Sequence, residues 1–298
     1  MHSIDSYGMM KKDIQGMLHE FEEAKSWLES FGLNVAPARF QKYKKIIAGK
    51  YFNDNVRELP DIDVLWALAE LHDILEIYQF LEHADRSQIK AALKHVNSGP
   101  YLLSDEKNDG GTIHGRNFTF ELYTAARLIR AGISAEFVTD ADINFIVEDA
   151  DILVECKRIN SENNIESLIS KAFEQIEKRC SVENDTFGLV AISISKLIWK
   201  VQENMGPGYY GDVEKIQRDM AVFAHEFSNN LRILYENETP ACMGIIFHYK
   251  VPFFRRGNGF PAFINRFSYV PFTKHSVRHN EVSSSLSKAL SVSVYKNG

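Results

Sequence analysis

The chain has 298 residues, of which 45% are hydrophobic and 25% charged, and its net charge is −6. These values are typical of a globular protein with one large domain or two smaller ones. Three scattered cysteines, Cys156, Cys180 and Cys242, show no CxxC spacing. We therefore expect no disulfide framework or structural zinc, and a cytoplasmic location. No apolar run reaches the length of a membrane span and Met1–Asp5 lacks a signal-peptide pattern, so no membrane association is expected.

Charge is distributed unevenly along the chain. Residues 241–298 contain eight basic residues and one acidic residue, a net charge of +7 that leaves −13 on the preceding 240 residues. Aromatic residues interleave with these basic residues, as on surfaces where bases stack and arginine meets phosphate. We therefore expect Arg255, Arg256 and Arg266 to contact nucleic acid. The alternative, in which the aromatics are core and the arginines cover a solvated face, fits the pattern equally well.

Residues 1–103 are predicted to form an all-helical accessory domain. Apolar residues follow helical spacing from Ile14 to Phe31, and Gly32 then supplies a stop. A second helix is predicted after Pro60, and a third from Ser87, as its N-cap, to the Gly-Pro pair at 99–100. This region shows no catalytic pattern. We expect it to contact a protein partner or a second copy of the chain.

Residues 104–298 are predicted to form a second domain, of the α/β class. This domain begins with a polar, glycine-rich stretch at residues 104–115. The predicted elements are a helix over Phe118–Arg130, strands at Ser134–Val138, Ile143–Val147 and Ile152–Lys157, a helix over Ile165–Arg179, a strand at Phe187–Ser193, a helix over Asp212–Glu236 and a strand at Cys242–Tyr249. The order α-β-β-β-α-β predicts a central mixed sheet flanked by helices. The serine-rich stretch 283–298 is predicted to be poorly ordered.

The strand at Ile152–Lys157 carries two charged residues at its end. Alternation places Glu155 and Lys157 on the same face, where they cost desolvation unless they pair or bind something. A hairpin with the preceding strand brings Asp142 near both. Two carboxylates within reach of one point make the hard oxygen site that magnesium prefers. Taken alone, such a Glu-x-Lys pair is more often an ordinary ion pair at a sheet edge.

The helices on either side of these strands carry two further candidate residues. Glu121 borders the buried stripe of its helix one turn before Ala125, where a carboxylate without a partner is unusual. Gln175 lies on the apolar side of the later helix and could face the same point. Either residue alone is more often an ordinary solvated side chain.

Together, these residues resemble the PD-(D/E)xK, or restriction-endonuclease-like, nuclease superfamily. The resemblance covers roughly residues 115–195 and is carried by the run 115–121, which ends in Glu121, then Asp142, the run 154–158 (Val-Glu-Cys-Lys-Arg) and Gln175. It implies a restriction-endonuclease-like core within the α/β fold. The proline of the family name is absent, since Ala141 precedes Asp142, which leaves Asp140 as an alternative ligand.

The same resemblance implies roles for the site residues. A Mg²⁺ or Mn²⁺ ion would be bound by Asp142, Glu155 and the carbonyl of Cys156, with Glu121 as a further ligand. Lys157 would position or activate the attacking water, and Gln175 would belong to the same site.

The implied activity is metal-dependent hydrolysis of phosphodiester bonds, with DNA as the first expected substrate and RNA as the alternative. Arg116, at the start of the helix that carries Glu121, is a further candidate contact to nucleic acid. A role in defence or in DNA processing is implied by resemblance. The competing interpretation is a catalytically silent nuclease fold that binds nucleic acid or assembles a complex.

Overall fold

A computed structural model of the protein shows how these elements assemble. It describes residues 2–6, 14–35, 39–51, 62–100, 105–106, 114–138, 141–204, 210–211, 213–237, 239–255, 261–273 and 276–292. None of the helices in these ranges combines the length and the apolar composition that crossing a bilayer requires.

The first hundred residues contain one strand followed by four helices. These are β1 (His2–Ser6), α1 (Ile14–Ser30), α2 (Arg39–Tyr51), α3 (Ile62–Leu81) and α4 (Arg86–Val96). The expectation of an all-helical region is therefore wrong at its start. The predicted N-cap of α4 is also displaced, because the Asp85 carboxylate accepts the Ser87 N–H at 2.8 Å and caps the helix first.

The rest of the described chain alternates between strands and helices. The elements are α5 (His114–Arg130), β2 (Ala135–Glu136), β3 (Ile143–Val147), β4 (Ala150–Arg158), α6 (Ile165–Arg179), β5 (Thr186–Ser193), α7 (Ser195–Asn204), β6 (Tyr210–Gly211), α8 (Val213–Tyr235), β7 (Cys242–Arg255), β8 (Pro261–Pro271) and α9 (Val277–Val292). The predicted order α-β-β-β-α-β is confirmed from α5 to β5. The elements β1, α2, α7, β6, β8 and α9 were not predicted.

The strands form one mixed sheet. Its order is β1-β8-β7-β5-β4-β3-β2, and the short β6 pairs with the far end of β7. β4, β5 and β7 run parallel, whereas β2–β3, β3–β4, β7–β8 and β1–β8 are antiparallel. The α/β class with a central mixed sheet is therefore confirmed.

Helices cover both faces of this sheet because its inner strands alternate apolar residues toward both sides. In β5, Leu189 and Ala191 join a core with α1 to α5 and α9, while Val190 and Ile192 join a second core with α6, α7 and α8. The first core runs across the predicted boundary between residues 103 and 104. The N-terminal helices and the sheet thus pack around shared side chains.

Two glycines shape the elements that carry the candidate site. Gly132, with φ of 84°, ends α5, and its N–H donates to the Ile129 carbonyl at 2.9 Å. Gly188 in β5 lies directly under α6, and a Cβ there would come within 2.1 Å of Cγ2 of Ile176. This contact fixes α6, which carries Gln175, closely against the sheet.

The serine-rich end of the chain is helical as far as Val292, so the prediction that it is poorly ordered is wrong for residues 283–292. Val282, Leu286 and Leu290 recur every four residues on α9 and are fully buried. Burial of this stripe outweighs the weak helix propensity of serine. Residues 293–298 lie outside the described residues.

Candidate active site

The β3–β4 hairpin brings the predicted acidic residues together. Its two-residue loop has positive φ at both positions, 50° at Glu148 and 63° at Asp149, as a tight hairpin turn requires. The register pairs Ile143 with Val154. Asp142 therefore lies across the ladder from Glu155, at the end of the hairpin away from the turn.

Glu155 is buried with 2% exposure and is held by two cations. The Lys157 ammonium donates to its Oε2 at 2.9 Å, and the Arg179 guanidinium of α6 donates to its Oε1. The predicted placement of Glu155 and Lys157 on one face is thus observed, and that face is the one that α6 covers. Sequence reasoning missed Arg179, although its position four residues after Gln175 on α6 could have indicated it.

Asp142 is anchored to the neighbouring strand by a backbone contact. Its Oδ2 accepts the N–H of Cys156 at 2.6 Å. Burial raises the pKa of Asp142 to about 6, the negative charge of Glu155 adds to this effect, and the Cys156 N–H opposes it. Asp140, the alternative ligand, lies outside the described residues.

Glu121 approaches the same point from α5, which packs across β4. Burial raises the pKa of its carboxyl group to about 8, and the charges of Asp142 and Glu155 contribute, while Lys157 opposes them. Like charges raise a carboxyl pKa in this way only when they lie close together. The expectation that Glu121 borders the Asp142–Glu155 site agrees with this placement.

The three carboxylates, those of Glu121, Asp142 and Glu155, are not all paired with a positively charged side chain. Two cations, Lys157 and Arg179, both contact Glu155, and no described cation forms an ion pair with Asp142 or Glu121. Carboxylate oxygens in this state suit a hard divalent cation, which would offset their repulsion. The described side chains do not form a complete metal-binding site. No three of the described His, Cys, Asp and Glu residues are grouped closely enough to hold a metal ion.

Cys156 contributes to the site only through its backbone. Its thiol is buried, and burial, with Asp142 and Glu121 nearby, holds the thiol pKa well above its ordinary value. A neutral thiol is a poor nucleophile and a poor metal ligand. The role of its carbonyl oxygen as a metal ligand, which the resemblance implies, stays a prediction.

Gln175 lies one turn before Arg179 on α6, with its side chain partly buried. Its Oε1 is shielded from solvent and has no hydrogen-bond partner among the described residues. Burying an amide oxygen without a partner costs free energy. The amide therefore has a free acceptor on the helix that also carries the Arg179 contact to Glu155.

The candidate nucleic-acid contacts divide into buried, partly exposed and undescribed residues. Arg116 is 5% exposed, and its Nε donates to the Glu70 carboxylate at 2.9 Å, so its guanidinium lies inside the protein and not on a surface open to a polymer. Arg266 is partly exposed, and its Nε donates to the Ser268 hydroxyl at 3.1 Å. The side chain of Arg255, and Arg256 as a whole, lie outside what the structure describes.

Part of the basic charge near the chain end is internal. Lys250 is buried, donates to the Ala69 carbonyl at 3.0 Å and forms an ion pair with Asp73. Arg278 forms an ion pair with Asp185 in the turn before β5. The net charge of +7 therefore overstates the positive surface that this segment presents.

No protein-family model, curated protein or solved structure matches this chain.

Proposed function

We propose that this protein is a divalent-metal-dependent nuclease with a PD-(D/E)xK, restriction-endonuclease-like core. The single observation that carries the proposal is the meeting of Asp142, Glu155 and Lys157 on one hairpin, with Glu121 of α5 close enough for its charge to interact with theirs. The element order from α5 to β5 supports the finer fold assignment. DNA is the first proposed substrate and RNA the alternative, in a cytoplasmic defence or DNA-processing role.

The residues present fit a metal ion by their chemistry. Asp142, Glu155 and the Cys156 carbonyl, with Glu121, would hold Mg²⁺ or Mn²⁺. Such an ion, when bound, neutralises charge on the attacked phosphate and lowers the pKa of its bound water.

The protein's own groups have separate tasks in this scheme. The Lys157 ammonium, positioned by Glu155, stabilises negative charge that develops on the phosphate. Arg179 holds the other oxygen of Glu155 and so fixes the carboxylate's orientation. The Asp142 carboxylate is fixed in the same way by the Cys156 N–H.

Lys157→Ala tests the proposal. Loss of one such electrostatic stabiliser costs on the order of a hundredfold or more in rate, while the fold is retained because Arg179 still pairs with the buried Glu155 carboxylate. Cleavage of plasmid, linear duplex, single-stranded DNA and RNA is measured with Mg²⁺, with Mn²⁺ and with EDTA. Lys171→Ala removes an exposed lysine of α6 and is the matched control. Cleavage by Lys157→Ala at the wild-type rate would falsify the role of this lysine.

A catalytically silent fold that binds nucleic acid is the second candidate. It is favoured by the two cations that already hold Glu155 and by the lack of a preformed metal cage among the described side chains. If the wild-type protein cleaves no nucleic acid with either metal but binds it, this second function replaces the first. Contact with a protein partner or a second copy through the N-terminal helices stays a prediction.

A further inference from the structure

A cavity lined by both charged and aromatic side chains lies outside the candidate active site, at the carboxyl ends of the parallel strands. It encloses about 50 Å³ between α3, α5 and α7. The last residues of β4 and β5, Arg158 and Ser193, reach it, as does His248 of β7. Lys157 and Arg158 are consecutive in β4, so their side chains leave the strand on opposite faces. The carboxyl ends of parallel strands are where open α/β sheets bind ligands.

Positive charge is in excess around this cavity. Four buried cationic residues line it: Arg116, Arg158, Lys196 and Lys250. Three carboxylates balance them in part: Glu70, Asp73 and Glu106, the last of which lies behind Arg158, accepts from its Nη1 at 2.6 Å and also pairs with the Lys196 ammonium at 3.7 Å. Among the described residues one unit of positive charge is left over, in a place where an uncompensated buried charge is costly.

A fifth cation, Arg39, lies behind the residues that line the cavity and adds to the excess of positive charge. Arg39 is 2% exposed and its Nη2 donates to Oγ1 of Thr119, which lines the cavity, at 2.5 Å. Its Nε and Nη1 are buried and have no hydrogen-bond partner among the described residues. Burial, together with the charges of Arg116 and Arg158, lowers the pKa of Arg39. These cations would be stabilised by an anion.

Neutral polar side chains complete the lining. Ser195 is the first residue of α7, a ten-residue helix whose N-terminus favours negative charge. Its Oγ accepts the Lys250 backbone N–H at 3.2 Å, which leaves its own proton to donate. His248 is held in place by Ser193 at 3.0 Å and Asn265 at 3.1 Å, and burial keeps its pKa well below the ordinary value, so it adds no charge.

We infer that this cavity binds one phosphate group, held by Arg158, Lys196 and Ser195 at the start of α7. About 50 Å³ is room for roughly three or four water molecules, or for one tetrahedral oxyanion. The hydrogen-bond donors come from a strand end (Arg158), a helix start (Ser195) and a buried lysine (Lys196). Donors on different sides of a cavity suit a tetrahedral anion better than a planar carboxylate. The phosphate can be inorganic phosphate or the terminal phosphate of a nucleotide whose nucleoside stays outside the cavity.

Calorimetric titration of the metal-free full chain tests the site, with inorganic phosphate and with AMP as separate ligands in chloride buffer. We expect saturable binding of inorganic phosphate, and a Kd raised at least tenfold by Lys196→Gln. Lys200→Gln, one turn further along α7 and outside the lining, is the matched control and should bind as the wild type does. Ser195→Ala should weaken binding severalfold and serves as the second variant if Lys196→Gln fails to fold.

The two ligands distinguish the sources of the phosphate. AMP binding with a dependence on Lys196 identifies a nucleotide phosphate, whereas binding of inorganic phosphate alone identifies the free anion; both outcomes support the site. No saturable binding of either ligand overturns the inference. Loss of binding in Lys157→Ala, with binding intact in Lys196→Gln, also overturns it, because the phosphate would then lie in the candidate active site.

Discussion

Glu121→Gln should stabilise the metal-free protein, and increasingly so as the pH rises. The pKa of Glu121 is raised from 4.5 to about 8, so between these values the folded protein holds a proton that the unfolded chain has lost. Unfolding then releases that proton, and the free energy of unfolding falls as the pH rises through this window. Glutamine does not titrate, so the free energy of unfolding of the variant does not fall in this way as the pH rises. The two proteins should therefore have similar stability near pH 4 and differ most above pH 8.

The size of the effect follows from the shift. Each pKa unit corresponds to about 1.4 kcal/mol, so a shift from 4.5 to about 8 corresponds to roughly 5 kcal/mol. The carboxylate is partly exposed, and solvent screening reduces this value. We expect about 2 kcal/mol or more at pH 9, or about 4–8 °C in Tm.

Scanning calorimetry in EDTA at pH 5, 7 and 9 measures the difference. Glu166→Gln, at an exposed position in the first turn of α6, is the matched control, and its difference from the wild type should be the same at each pH. A constant difference for Glu121→Gln across this range would show that neither burial nor the charges of Asp142 and Glu155 raise the pKa of this carboxyl group.

Three further predictions concern other parts of the molecule. Arg179→Gln should tighten Mn²⁺ binding severalfold, measured by calorimetry, because one cation leaves Glu155; weaker binding would contradict this. Gly188→Ala should cost about 1–3 kcal/mol in urea denaturation by overpacking α6, and Ile176→Ala in the same chain should restore part of the loss. Replacing Arg255 and Arg256 with alanine should flatten the salt dependence of nucleic-acid binding by roughly two units of slope; an unchanged slope would place both away from phosphate.

Local patterns were sufficient to predict the elements that build the candidate site. The alternation in β4 and the helical stripe of α5 are periodic within a few residues, so they predicted which side chains share a face. The hairpin turn then fixed Asp142 relative to Glu155. Features that depend on contacts between residues far apart in the sequence were not predicted. Arg179 reaches Glu155 across 24 residues, and Arg116 is drawn inward by Glu70, 46 residues away.

The secondary-structure elements that were not predicted also depend on contacts between distant parts of the chain. α9 is rich in serine and shows little intrinsic tendency to form a helix; it is helical because Val282, Leu286 and Leu290 pack into the first core. β1 is a strand because it pairs with β8. The cavity that we infer binds phosphate could not be predicted from the sequence either, since its lining comes from α3, α5 and α7, from the ends of β4 and β5 and from the middle of β7. No one of these segments carries a recognisable phosphate-binding motif.

The pairing of β1 with β8 has a consequence for how the chain folds. Ile4 pairs with Phe267, a separation of 263 residues, so the sheet cannot be completed until Phe267 has been synthesised and has left the ribosome. Until β8 arrives, one edge of the 14-residue, largely apolar β7 has no neighbour. Long apolar edges recruit other chains. A chain that stops before Pro261 would keep its candidate active-site hairpin and yet expose this edge, and aggregation is its expected fate.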